Sequence, residues 1–227
     1  MTKETKKTKN EEAEAIVNAV SKTEQFIRDK KGLLYGILIA IVAIIIIYLG
    51  YAKLINEPKK AEAMSQMYPA EEVFRSGDYE TALNGDGNIL GFAQIIDNYG
   101  KKAGKAVYLY AGICELQNGN YQQAISYLQK YNGKEPILKS RAFSCIGDAY
   151  VGLGDYANAV NYFERAAKHI DNIYAAEYWL KAGVTYEEMG NSAKALECYR
   201  TIKEKYPASI EGYDIDKYIS RIEVKAE

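Results

Sequence analysis

Three stretches of the chain decide its fold: GICELQNGNYQQA at 112–124, GDAYVGLGDYANA at 147–159 and GVTYEEMGNSAKA at 183–195. Each stretch begins with a glycine, carries a second glycine seven residues later and ends with an alanine. Successive copies start 35 and 36 residues apart. A period of this length, with small residues in phase, is typical of an array of helical repeats.

The small residues at the two ends of each stretch predict a close contact between two antiparallel helices. Glycine and alanine have almost no side chain, so the helices that carry them can approach each other. Larger side chains that recur with the same period are expected to fill the space beside that contact. Four residues before the first glycine of each stretch lie Tyr108, Phe143 and Trp179, and four residues after the alanine lie Leu128, Phe163 and Tyr199. The second glycine of each stretch lies in the turn, where a positive φ costs glycine nothing.

The chain resembles the tetratricopeptide repeat over roughly residues 105–207. The turns Gly-Asn-Tyr-Gln-Gln-Ala (119–124) and Gly-Asp-Tyr-Ala-Asn-Ala (154–159) carry most of this resemblance. Three positions depart from the family pattern: Glu115 and Ser192 replace aromatic residues, and Asp171 stands where proline is usual. The resemblance implies an all-α solenoid with about three clear repeats, which presents a binding surface and carries no active site.

A degenerate repeat is predicted ahead of the clear ones. Gly77, Tyr79 and Ala82 match the repeat turn, but Pro69 falls in the middle of the first helix and should kink or break it. The polar segment 84–88 interrupts the second helix. We expect that helix to resume near Ile89 and to run to about Tyr99.

Prolines and a final apolar pattern predict where the array ends. Pro136 and Pro207 are expected to end the second helices of their repeats, because proline lacks the N–H that a helix needs. Beyond Pro207, three isoleucines at helical spacing predict a C-terminal capping helix, which repeat arrays require. They are Ile215, Ile219 and Ile222.

Residues 32–52 form a run of 21 residues without a charge. At about 1.5 Å per residue, such a helix spans roughly 30 Å, one hydrocarbon core. Tyr48 and Tyr51 suit a membrane–water interface. A buried helix and a signal peptide cleaved near Ala61-Glu62-Ala63 are the alternatives, but the run is too long for a signal peptide. We therefore predict a single transmembrane helix.

This helix divides the chain into four parts. An N-terminal tail with an amphipathic juxtamembrane helix (1–31) precedes the span (32–52), and a short linker (53–60) leads to the repeat domain (61–227). Four basic residues lie in 17–31 and three in 53–67. Because basic residues favour the cytoplasmic side, we expect a bacterial inner-membrane protein with a cytoplasmic N-terminus and a periplasmic repeat domain.

Candidate chemical groups are few. The formal net charge of −1 gives no basic stripe for nucleic acid. The three cysteines form no CxxC motif and are expected to be buried thiols, with one disulfide or a redox switch as the alternative. The lone His169 suits a helix end. The segment 84–88 resembles the start of a calcium loop but lacks the later ligands. We predict no enzyme, no cofactor and no metal.

The family resemblance also implies a binding groove lined by the first helix of each hairpin. Groove residues chosen on this basis are Leu109, Ile113, Leu116, Arg141, Val151, Leu180 and Val184. The groove is expected to be mainly apolar with an acidic end at Glu187 and Glu188, so it suits an apolar or aromatic segment of a partner. Only Arg141 is expected to serve in a carboxylate clamp of the kind that some family members use. The alternative is that these residues pack against neighbouring repeats.

The order of elements gives a second resemblance. A juxtamembrane segment Thr23-Glu-Gln-Phe-Ile-Arg-Asp-Lys-Lys31, a single anchor and degenerate repeats resemble the YfgM-like ancillary subunits of the SecYEG translocon. This resemblance implies the translocon, a periplasmic chaperone or exported polypeptides as partners, and an adaptor or chaperone-like role. The other hypothesis is an assembly scaffold for a different cell-envelope complex.

Overall fold

The computed structural model describes residues 28–225, and all regular elements in that part are helical. The α-helices are α1 (Lys31–Tyr51), α2 (Glu57–Ser76), α3 (Tyr79–Asn84), α4 (Phe92–Tyr99), α5 (Ala106–Gln117), α6 (Tyr121–Lys130), α7 (Pro136–Gly152), α8 (Tyr156–His169), α9 (Ala175–Glu188), α10 (Ser192–Lys205) and α11 (Ile210–Lys225). The predicted tail and nearly all of the juxtamembrane helix lie outside the described residues. The described residues divide into two compact units between Pro58 and Lys59.

The described part of the first unit is an apolar helix. The side chains of α1 are exposed, and they include Ile47 and Tyr48 at 71% and 68% exposure. By length and composition the continuous helix that begins with α1 is able to cross a membrane, and an 18-residue window within it has a mean hydropathy of 2.8. A signal sequence near the N-terminus would meet the same two criteria. The structure therefore places a candidate span where the sequence predicted one.

The segment expected to be a linker is helical. A π-helical turn, Ala52–Asn56, connects α1 to α2, and the Glu57 N–H donates to the Ala52 carbonyl five residues back. Pro58 follows directly, and its ring would clash with the carbonyl four residues earlier in a regular α-helix. The wider π turn relieves this clash. The helix also continues through Pro69, so the break, one of the two expected effects, does not occur.

Close packing at the repeat glycines confirms the predicted helix contacts. A Cβ atom built on Gly147 would lie 2.6 Å from Cε1 of Phe163, and one on Gly183 would lie 2.3 Å from Cε1 of Tyr199. These partners are the large side chains that the repeat phase predicted for the second helix. The alanines at the end of each stretch, Ala124, Ala159 and Ala195, are fully buried.

The turn after α7 shows why each hairpin reverses at its predicted position. Gly154 has φ = 73°, a conformation that favours glycine. The Asp155 N–H donates to the Tyr150 carbonyl, and the Gly154 N–H donates to the Val151 carbonyl, which closes the end of α7. The Asp155 carboxylate then accepts the Asn158 N–H at 3.1 Å and caps the start of α8.

The position of Pro136 contradicts the prediction that this residue ends a helix. The helix α6 ends at Lys130, and Pro136 is the first residue of α7 instead of the residue that ends α6. Proline suits this position, because the N–H of the first helical residue has no partner within the helix. Pro207 lies where it was expected, two residues after the end of α10 at Lys205.

The loop between α3 and α4 is closed by its own aspartate. Asp86 Oδ1 accepts the N–H groups of Asn88 at 2.8 Å and of Ile89 at 3.0 Å. These hydrogen bonds lower the pKa of Asp86. The helix resumes at Phe92 instead of Ile89, because Gly91 lies against the backbone of Leu83.

Two of the departures from the family pattern have hydrogen-bonding partners. Glu115 is buried and its Oε2 accepts from the Asn120 side chain at 2.8 Å, across the turn between α5 and α6. Asp171 accepts from the Tyr206 hydroxyl at 3.1 Å. Each carboxylate thus ties a turn to a neighbouring residue where the family pattern has an aromatic or a proline.

The capping helix and the cysteines belong to the core. Ile215, Ile219 and Ile222 are at most 8% exposed and pack in one cluster with Tyr199 and Ile202 of α10. The three cysteines are free and buried, as the first of the two alternatives predicted. Burial raises the pKa of Cys114 and Cys198 to about 12 and that of Cys145 to about 11.

Candidate protein-binding groove

The first helices of the three clear repeats, α5, α7 and α9, line two neighbouring cavities. The first has a volume of about 200 Å³ and is lined by residues that include Ile113, Leu116 and Arg141. The second, of about 280 Å³, is lined by residues that include Val151, Leu180 and Val184. Asp148 and Lys181 line both cavities, so the two lie side by side. Six of the seven predicted groove residues are therefore brought together here.

Two of the predicted groove residues offer little free surface. Leu109 is 5% exposed and Ile113 is 7% exposed, and both belong to the core cluster that joins α5, α6 and α7. For both residues the structure agrees with the alternative, that they pack against neighbouring repeats. Ile113 still reaches the wall of the first cavity, whereas Leu109 lines neither cavity.

The exposed apolar part of the groove lies on α7 and α9. Val151 and Val184 are each 38% exposed, and Leu180 is half-buried. Phe163, which packs on Gly147, lines the same cavity from α8. A side chain of leucine or phenylalanine size would find aliphatic and aromatic walls here.

An ion pair between neighbouring repeats lies between the two cavities. Lys181 Nζ on α9 is 2.8 Å from Asp148 Oδ2 on α7 and 3.6 Å from Glu177 Oε1. It also donates to Ser144 Oγ at 3.3 Å. The side chains of Lys181 and Asp148 are only 32% and 33% exposed. A charged cluster therefore divides the groove into two parts.

The protonation states of this cluster follow from burial and pairing. Burial raises the pKa of the Asp148 carboxyl, and the nearby Lys181 only partly offsets this effect. Burial would lower the pKa of Lys181, but attraction to Asp148 and Glu177 raises it instead. Lys181 thus keeps its positive charge inside the groove.

The sequence interpretation overlooked Lys181. It lies two residues before Gly183, at a repeat position that carboxylate-binding relatives use, so Arg141 is not the only candidate for such a clamp. The repeat phase alone would have revealed it. What the phase does not reveal is that Asp148, one repeat earlier, already holds the ammonium group.

The predicted acidic end is partly neutralised. Glu187 Oε1 accepts from the Tyr199 hydroxyl at 2.6 Å, and Arg221 of the capping helix pairs with the same carboxylate. Glu187, Glu188 and Arg221 line a further cavity of about 450 Å³. Both charges are therefore present at this end of the groove.

The described residues show no alternative chemical centre. Within 28–225, no group of three or more His, Cys, Asp or Glu side chains is placed to hold a metal ion. His169 lies in the last turn of α8 and contacts the Phe143 ring edge-on at 5.7 Å. Its position at a helix end is the one that the sequence predicted.

These hairpins and their groove define a protein–protein interaction module. Two family models, both described as tetratricopeptide repeat, match residues 106–136 and 146–210. The chain therefore carries tetratricopeptide repeats in these two segments. No curated protein matches the chain in sequence.

Solved structures share the fold. A crystal structure of MamA protein superimposes with a TM-score of 0.55 and 19% identity, over 73% of this chain and 82% of that chain. A second crystal structure of MamA gives a TM-score of 0.53 and 20% identity, over 69% and 88% of the two chains. At these identities the similarity shows a common fold alone.

Proposed function

We propose that the chain is a membrane-anchored adaptor whose groove on α5, α7 and α9 holds a segment of a partner protein. The observation that carries this proposal is the pair of adjacent cavities with a charged cluster between them. Apolar walls at Leu180 and Val184 suit one aliphatic or aromatic anchor of the partner. Arg141, exposed at the other cavity, suits an acidic group or a main-chain carbonyl.

The anchor supports a location beside the membrane. The apolar helix α1 has the length and composition of a span, and its side chains are exposed instead of packed in a core. The small excess of basic residues before it favours a cytoplasmic N-terminus and a repeat domain on the other side of a bacterial inner membrane. To test this, an engineered cysteine at Lys59 is labelled with an impermeant reagent on intact spheroplasts. Labelling only after lysis would contradict the proposed orientation.

The resemblance to ancillary translocon subunits favours a role beside the Sec translocon. In this role the groove would hold exported polypeptides or a periplasmic chaperone. The alternative, an assembly scaffold for another envelope complex, is supported by the same groove, since a fixed partner needs the same chemistry.

Crosslinking from the groove in intact membranes separates these two roles. A photoreactive residue in place of Val184 is expected to capture SecY or exported chains if the adaptor role holds. A fixed, stoichiometric set of other envelope proteins would favour the scaffold. The matched control carries the photoreactive residue at Gln122, which is exposed on α6 outside the cavities. Equal products from both positions would rule out the groove as the binding surface.

A further inference from the structure

A column of exposed isoleucines runs along one edge of the repeat domain. Ile137, Ile173 and Ile210 are 36 and 37 residues apart, close to the spacing of 35 and 36 between the repeats. They are 48%, 55% and 86% exposed. Each lies at or just before the start of a first helix, α7, α9 or α11. Each helix from α5 to α11 packs on the next one, so these antiparallel hairpins bring the three isoleucines to one edge.

Further large apolar side chains accompany this column. Leu138, Tyr174 and Tyr213 are 38%, 54% and 81% exposed. The core of the domain does not need these residues, because the glycine, alanine and aromatic positions already close each hairpin. We name these six residues the isoleucine edge. An exposed apolar set of this size on a soluble surface is typical of an interaction site.

Lysines surround the isoleucine edge. The four segments on this edge, 100–105, 130–139, 168–175 and 203–213, carry nine lysines and four acidic residues. The lysines are Lys101, Lys102, Lys105, Lys130, Lys134, Lys139, Lys168, Lys203 and Lys205, and the acids are Glu135, Asp171, Glu204 and Glu211. Lys168 and Lys203 are paired with Glu164 and Asp216. The edge stays basic after these two pairs are set aside.

The opposite edge has the reverse charge. Its turns, 76–81, 117–121, 152–156 and 188–194, carry one basic and four acidic residues. They are Lys194 and Asp78, Glu80, Asp155 and Glu188. The domain is therefore electrically polarised between its two edges, although the chain as a whole has a net charge of only −1.

We propose that the isoleucine edge rests on an anionic phospholipid surface. Isoleucine and tyrosine side chains enter the boundary between headgroups and acyl chains, and lysines beside them reach the phosphates. A protein partner would also accept apolar residues, but the excess of lysine on this edge alone favours phosphate groups. The proposal rests on the proposed anchoring, since a tether keeps the domain at high local concentration near the bilayer.

Spin labelling of the full-length chain in lipid vesicles tests this contact. A nitroxide is attached at Ile173→Cys, and a matched control nitroxide is attached at Gln122→Cys on an exposed part of α6. The unsubstituted chain, whose three thiols are buried, gives the background. The vesicles contain either phosphatidylcholine alone or a mixture with phosphatidylglycerol.

Collision with oxygen and with a water-soluble nickel complex distinguishes three environments. In phosphatidylglycerol vesicles the label at 173 is expected to be accessible to oxygen and protected from nickel, while the label at 122 is accessible to nickel. Equal nickel accessibility at both positions in both lipids would overturn the proposal. Protection of the 173 label from both reagents would also overturn it, because that result means that a protein, such as a second copy, covers the edge.

Lysine variants test the electrostatic contribution to the proposed contact with anionic lipid. Lys134 and Lys205 are exposed, and the double substitution Lys134→Ser and Lys205→Ser should reduce the lipid-bound fraction of the label relative to the free fraction by about fivefold per lysine. Lys194→Ser on the opposite edge is the control. An unchanged ratio in the double variant would contradict the proposal. Extraction with alkaline carbonate tests separately whether α1 spans the membrane, because it releases proteins bound only at the surface and leaves a spanning helix in the membrane.

Discussion

At the scale of single residues, the missing side chain of Gly147 determines how closely α7 and α8 approach. A Cβ atom there would already lie 2.6 Å from the Phe163 ring. We expect Gly147→Leu to lower the free energy of unfolding by about 1–3 kcal/mol or more, the typical cost of overpacking of this kind. Chemical denaturation of the full chain checks this, with Gln122→Leu as the exposed control. Equal midpoints would mean that the helices separate at little cost.

The groove residues divide into two groups that respond differently to substitution. Leu180→Ser with Val184→Ser removes partly exposed cavity walls, so we expect a small loss of stability and a loss of partner capture. A buried anchor typically contributes about 2 kcal/mol or more to binding. Leu109→Ser is the contrasting variant, because this leucine is 5% exposed in the core. It should lower stability by about 2–5 kcal/mol.

Melting curves measure the loss of stability of each variant, and crosslinking yields measure its loss of partner capture. The division into two groups is wrong if Leu109→Ser melts like the parent. It is also wrong if the Leu180 and Val184 double variant unfolds while Leu109→Ser stays folded.

The residue scale also shows what the sequence could predict. The phase of Gly147 and Gly183 identified their contact partners, Phe163 and Tyr199, because a strict period leaves few arrangements of two helices. The same phase could not separate exposed Val184 from buried Ile113, since burial depends on the tilt between neighbouring repeats. The link between Lys181 and Asp148 was missed for the same reason, because it joins two repeats.

At the scale of helices, tyrosine hydroxyls join α8, α9 and α10. The Tyr186 hydroxyl donates to Glu164 Oε1 at 2.7 Å, and the Tyr199 hydroxyl donates to Glu187 Oε1 at 2.6 Å. Burial, together with the carboxylate in each pair, raises the pKa of both tyrosines. Burial likewise raises the pKa of Tyr178 to about 12.

These raised values predict a loss of stability in alkali. The folded state keeps protons that the unfolded chain releases near the ordinary tyrosine pKa of about 10. The stabilisation is therefore complete below about pH 10 and is lost as pH rises further, through the folded pKa values. The free energy of unfolding, measured by urea titration from pH 8 upward, should fall less steeply in Tyr186→Phe. Tyr213→Phe, at an exposed position, should keep the parent slope, and parallel slopes in all three proteins would contradict this prediction.

The helix boundaries show where prolines mislead a reading of the sequence. The sequence predicts that Pro136 ends a helix and that Pro69 kinks or breaks one, yet Pro136 begins a helix and Pro69 lies inside one. Pro58, in the predicted linker, follows a π turn. Proline marks a missing N–H, and three different local arrangements satisfy that condition. The sequence alone does not choose among them, because the choice depends on what the helix packs against.

At the scale of the whole molecule, the second unit should fold without the first. Its core clusters are built from residues between Ala63 and Ile222. We expect a fragment of residues 59–227 to give a helical circular dichroism spectrum and one cooperative melting transition. Calcium should leave the melting temperature unchanged, because Asp86 already accepts two N–H groups within its loop. A shift of several degrees with calcium, or a spectrum without helix, would contradict this expectation.

The three thiols lie in different parts of the repeat array. Cys114 lies in α5, Cys145 in α7 and Cys198 in α10, and burial keeps each of them protonated. A thiol in this state reacts with an alkylating reagent only when its own helix opens. The three buried cysteines therefore report local unfolding of the repeat array. Alkylation of Cys198 well before Cys145 would show that the array frays from its end, whereas equal rates would show that it opens as one cooperative body.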